Sequence, residues 1–184
     1  ARRKIHRTLA ERMEEAFSRN LEPHYETLAM HYGKSDVPLK ALEYAIKAGD
    51  RTAKVFVNDV AAGHYHHAAE FARALGDKSA EADAYFRLGR LLYGTTGDLK
   101  ACFEALERAE KILASQPSSA VLVDIFRYKG WIVRRWGDSK LASEYFQKGA
   151  EMAEAGGHEA ALPGILMALA RTKIDAGHLD AALE

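Results

Sequence analysis

Three short stretches carry residue types that could do chemistry. Gly33-Lys34-Ser35 has the ending of a phosphate-cradling loop, in which backbone amides and a lysine hold the phosphates. Such a loop needs a glycine five places before Gly33, where this chain has Leu28, and a strand in front, where the pattern is helical. A polar helix end and turn fits better. His64-Tyr65-His66-His67 sets His64 and His67 three apart, a spacing compatible with zinc on one side of a helix. Zinc takes three or four ligands, and no second cluster has matching spacing. Three solvated histidines are expected, titrating near neutrality and making that surface pH-sensitive. Cys102 would need a neighbouring base or cation to act as a nucleophile, and its position calls for a small packed side chain. The chain has no GxSxG, no HExxH and no distinguishable pair of carboxylates. It reads as not an enzyme, with no catalytic residue, metal or cofactor.

The bulk numbers exclude other classes. Of 184 residues 48% are apolar and 28% charged, enough to fold. Lys plus Arg equals Asp plus Glu at 26 each, so there is no global attraction to nucleic acid. A single cysteine precludes an intrachain disulfide and fits a cytoplasmic setting. No apolar run approaches the roughly 20 residues that span a bilayer. With Ala1 first and a helical pattern reaching Glu184, the chain reads as a fragment of a longer protein.

The elements that would position any site are helices. Apolar residues recur three and four apart, as in Ile125, Tyr128, Ile132 and Trp136, and the prolines at 23, 38, 117 and 163 precede or open such segments. One phrase repeats. Gly137-Asp138 is followed by Ala142, Phe146 and Gly149, and Gly97-Asp98 by Cys102, Leu106 and Ala109. Ala61, Tyr65 and Ala68 form another copy, Ala41, Ala45 and Ala48 an earlier one, and Ala182 begins a truncated last. The anchors lie 20, 41, 40 and 40 residues apart. Preceding segments carry Tyr25, Leu28, Ala29 and Tyr32; Tyr85, Leu88, Gly89 and Leu92; Phe126, Gly130 and Val133; and Leu166, Leu169 and Ala170. Small residues facing bulky ones let two antiparallel helices approach closely. Gly-Asp ends one helix in a left-handed conformation and caps the next.

This pattern resembles the tetratricopeptide repeat, in the long-repeat form of bacterial signalling ATPase and nucleotide-cyclase fusion regulators. The resemblance implies an all-α, right-handed superhelical solenoid of antiparallel helix pairs over residues 22–184, with the last repeat truncated. Residues 1–21 read as a separate amphipathic helix, similar to the joint between an ATPase module and a repeat array. The 20-residue interval leaves room for only a stunted first helix at about 50–57, and Asp36 stands where a turn glycine is expected.

In this family the first helix of each pair lines the concave side. The register puts Phe86, Arg90 and Tyr93, then Arg127, Trp131 and Arg134, then Met167 and Arg171 on that face. Arginine forks and aromatics suit a protein or peptide with acidic groups. Trp131 is expected exposed and Trp136 packed. The Ala182-Leu183 face, lacking a partner helix, could pair with a second copy. The function expected is a regulatory protein-interaction domain of a cytoplasmic signalling protein; the alternative is a small-molecule-sensing domain regulating an upstream ATPase or cyclase.

Overall fold

The computed structural model describes residues 1–95, 97–116 and 119–177. Pro117, Ala182 and Leu183, and with the last two the expected self-association face, lie outside these. The described residues form nine α-helices and no strand, in two compact units. The first, Ala1–Gly97, holds α1 (Arg2–Ala16), α2 (Tyr25–Gly33), α3 (Pro38–Lys54), α4 (Asn58–Leu75) and α5 (Lys78–Thr95). The second, from Asp98 onward, holds α6 (Leu99–Ile112), α7 (Ala120–Arg135), α8 (Ser139–Ala155) and α9 (Leu162–Asp175). Within each unit every helix packs on the next in sequence.

The turns follow from side-chain chemistry. Gly76, Gly97, Gly137, Gly157 and Gly177 all have positive φ, where a β-carbon would be strained. The aspartates after three of them cap the next helix, Asp77 accepting from the Ala80 amide, Asp98 from Ala101 and Asp138 from Leu141, each at 2.9 Å. The α3–α4 turn breaks the rule. Phe56 takes the left-handed conformation there, with φ of 61°, and is 82% exposed.

The helix pairing differs from the sequence expectation. No stunted helix occupies 50–57, because α3 runs unbroken from Pro38 to Lys54. A β-carbon on Gly49 of α3 would lie 2.6 Å from the ring of Tyr65 on α4, and one on Gly130 of α7 2.6 Å from Phe146 on α8. Both contacts join residues sixteen apart. α3 is therefore the first helix of the pair it makes with α4, and Ala41, Ala45 and Ala48 are not a second-helix copy of the phrase. Counting from Gly49, the equivalent small residues are Gly89, Gly130 and Ala170, at intervals of 40, 41 and 40.

α1, expected to stand apart, packs into the first unit. Its Ala10 is fully buried, and its Glu14 carboxylate accepts from Tyr32 at 2.6 Å, from Lys40 at 3.0 Å and from Tyr44. The rings of Tyr32 and Tyr44 stack with centroids 5.7 Å apart. Burial by itself would raise the Glu14 carboxyl, but these three donors outweigh it and hold the group below its ordinary value. In the second unit Val123, Val133, Ala142, Phe146 and Ile165 form a shared core.

Candidate interaction face

On α7 the core side carries Val123, Phe126, Gly130 and Val133, all buried, so Asp124, Arg127, Trp131 and Arg134 fall on another strip and are half-buried. Arg127 donates through Nη2 to Asp124, and its guanidinium lies 5.3 Å from the Trp131 ring centroid. Its Nε is buried without a hydrogen-bond partner. Arg134 donates to Asp175, at the end of α9, through Nε at 2.8 Å and Nη2 at 2.7 Å. An incoming carboxylate would thus compete with Asp124 and Asp175 for these two arginines. On α9, Met167 is 70% and Ile174 48% exposed, with Arg171 also exposed and forming no ion pair among the described residues.

In the first unit, α5 presents the expected Arg90 to solvent and leaves Tyr93 half-buried. Phe86 is a correction: it is buried, 7% exposed, with the Arg90 guanidinium 6.0 Å from its ring centroid. The polar centre here was missed in the sequence. Asp50 of α3 accepts from Arg87 at both oxygens, 2.9 Å each, and from the Tyr65 hydroxyl at 2.8 Å; Arg87 also donates to Asp83 at 2.7 Å. Burial and then the Asp50 hydrogen bond push the Tyr65 hydroxyl above its usual value. Burial would lower Arg87, yet Asp83 and Asp50 raise it. The signal that could have found Asp50 is its neighbour Gly49, which marks α3 as a first helix.

The tryptophans are reversed. Trp136 is 50% exposed, past the last turn of α7, with its ring 5.2 Å from that of Phe103, whereas Trp131 packs partly against the core. His66 and His67 are exposed as expected, but His64 is a further correction. Its side chain is only 15% exposed, its Nε2 lacks a hydrogen-bond partner, and Glu26 lies 4.0 Å away. It lines a cavity of about 310 Å³ with Glu26, Met30, His67 and Phe71. Burial, with His67 adding and Glu26 opposing, holds it below the ordinary histidine value. No three His, Cys, Asp or Glu among the described residues are grouped to hold a metal ion. Cys102 is buried, as its repeat position requires. Gly33-Lys34-Ser35 closes α2, with the Ser35 hydroxyl donating to the Tyr32 carbonyl at 2.7 Å.

Residues 82–112 match the tetratricopeptide repeat family. No curated protein sequence matches the chain. Among solved structures, BtubC (BKLC) from P. vanneervenii is similar over 96% of this chain and 74% of its own, with 16% identity and a TM-score of 0.75. The nearly identical TPR-like repeats of a Podosopora anserina kinesin-light-chain protein are similar over 98% and 89%, at 12% identity and a TM-score of 0.69. MamA is similar over 96% and 85%, at 17% identity and a TM-score of 0.63. The fold is accordingly an all-α solenoid of tetratricopeptide-like helix pairs. No helix among the described residues is long and apolar enough to cross a membrane.

Proposed function

We infer that this tetratricopeptide-like array is a non-catalytic protein-binding scaffold, a regulatory part of a larger bacterial signalling protein acting in the cytoplasm. The first-helix faces are its working surfaces. One observation carries the reading: on α9 the apolar Met167 and Ile174 stand exposed beside Arg171, which has no ion pair among the described residues. On α7 the Arg127–Trp131 stack adds a flat cationic wall. Such a surface suits a peptide bearing one apolar anchor and one carboxylate. Because Arg127 and Arg134 hold Asp124 and Asp175, Arg171 is the one of these three arginines that can take a new carboxylate without losing an old one. Met167→Glu with Arg171→Glu should abolish capture of partner proteins from lysate while helicity is unchanged; undiminished capture would refute the reading.

A second reading, sensing of a small molecule that regulates an upstream ATPase or cyclase module, is favoured by a cleft of about 670 Å³ between α6, α7 and α8. That volume falls within the range of ordinary ligand pockets.

A further inference from the structure

The floor of that cleft is apolar. Leu113, Leu122 and Phe126, each under 5% exposed, form it together with Met152. Its charged lining is unusual. Lys129 occupies the place immediately before Gly130, where the equivalent residues are Ala48, Leu88 and Leu169. It is 3% exposed, donates to Glu110 of α6 at 2.7 Å, and sits 4.7 Å from the ring centroids of both Phe103 and Tyr145. An ion pair that buries a lysine at an otherwise apolar position is a poor source of stability, since well-packed apolar residues of like volume do as well or better. On the opposite wall Lys148 of α8 holds its ammonium 4.4 Å from the Phe126 ring centroid and makes no ion pair among the described residues. Lys111 and Glu107 on the rim likewise have no ion pair among the described residues. With Lys129 matched by Glu110, the remaining lining charge is positive.

We propose that the cleft binds a small amphipathic carboxylate, its carboxylate at Lys148 and its apolar body on Phe126, Leu122 and Met152. This rests on the second reading and adds the chemistry of the ligand. The Lys148–Phe126 contact is central, because it puts an available cation against the apolar floor. One molecule with a charged head and an apolar tail can satisfy both at once. The cleft uses the side of α7 bearing Leu122, Phe126 and Lys129, whereas the peptide face uses Asp124, Arg127, Trp131 and Arg134. The two sites are separable by mutation.

The test is titration of the isotopically labelled 184-residue chain with sodium octanoate at constant ionic strength, followed by amide chemical shifts. Octylammonium chloride and 1-octanol serve as parallel probes. Octanoate should give saturable shifts confined to the amides around 110–114, 122–129 and 148–152. Lys148→Glu should weaken binding about tenfold or more, and Leu122→Trp, which fills the cleft, should abolish it. Should Leu122→Trp lose helicity, Ala114→Trp at the exposed rim replaces it. If octanol or octylammonium shifts the same amides as strongly as octanoate, the ligand class is wrong though the cleft remains a ligand site. If none of the probes gives localised saturable shifts, or the variants bind octanoate unchanged, the cleft assignment itself is overturned.

Discussion

Phe146 of α8 lies so close to Gly130 of α7 that a β-carbon at Gly130 would come within 2.6 Å of the ring. Phe146 is fully buried, so the ring has nowhere to retreat. Gly130→Ala should therefore cost about 1–3 kcal/mol through overpacking, despite the better helix propensity of alanine. Phe146→Ala should cost about 3–5 kcal/mol by leaving a cavity. Denaturant midpoints check both, and combining Gly130→Ala with Phe146→Leu should restore part of the loss. Gly49→Ala should behave like Gly130→Ala, since its β-carbon would meet Tyr65 at the same 2.6 Å.

Phe56 holds a left-handed backbone with no compensating burial, 82% of it lying in solvent. That conformation costs a bulky residue about 1–2 kcal/mol. Phe56→Gly should raise the melting temperature, the gain being trimmed by the greater freedom of glycine in the unfolded chain. A fall in melting temperature would show that the ring contributes packing after all.

Two half-buried histidines should make the fold acid-sensitive below about pH 6.5. His31 lies below the ordinary 6.5 through burial first, then through the neighbouring His6 and Lys34 charges. Its Nδ1 is 2.9 Å from that of His6, so one of the two rings must accept. His64 lies below 6.5 chiefly through burial. A base whose value is depressed by folding binds fewer protons in the native state than in the unfolded one. Its stabilising contribution is complete above 6.5 and declines as pH falls toward the folded values. Urea midpoints should drop as pH falls below about 6.5, and His31→Gln with His64→Gln should flatten that drop.

A separate, more acidic transition belongs to Glu14. Its carboxyl is held below 4.5, so the contribution it makes is complete above that value and is lost as pH falls through the lower folded one. Glu14→Gln should destabilise the chain by about 2 kcal/mol at neutral pH and remove this acid step. Hydrogen exchange in α1 should rise more than in α8 if Glu14 holds α1 in place.

Much of this architecture was legible because it depends on local spacing. Small residues at 40-residue intervals, with glycine and aspartate between helices, describe close-packed helix pairs whatever else surrounds them. The first pairs were misread because α3 is rich in alanine: Ala41, Ala45 and Ala48 satisfy a second-helix pattern as readily as a first-helix one. The unbroken run of α3 to Lys54 and the Gly49–Tyr65 contact separate the two readings. The tryptophans five apart had to diverge, but which one faced solvent depended on where α7 ends, one residue before Trp136. The Asp50–Arg87 pair joins residues 37 apart in sequence, and although Gly49 marks the helix that carries Asp50, no local pattern couples it to Arg87. Lys129 was unreadable for a related reason. A lysine on a helix reads as solvated until the Glu110 and aromatic partners that bury it are known.

Site-specific photo-crosslinking in cells tests the central claim, that the first-helix face carries the partner. A benzoylphenylalanine at Met167 should yield discrete adducts with another protein, suppressed by Arg171→Glu, and the same probe at the exposed Glu151 of α8 should yield none. Equal adducts from both positions, or adducts from Glu151 alone, would contradict the account.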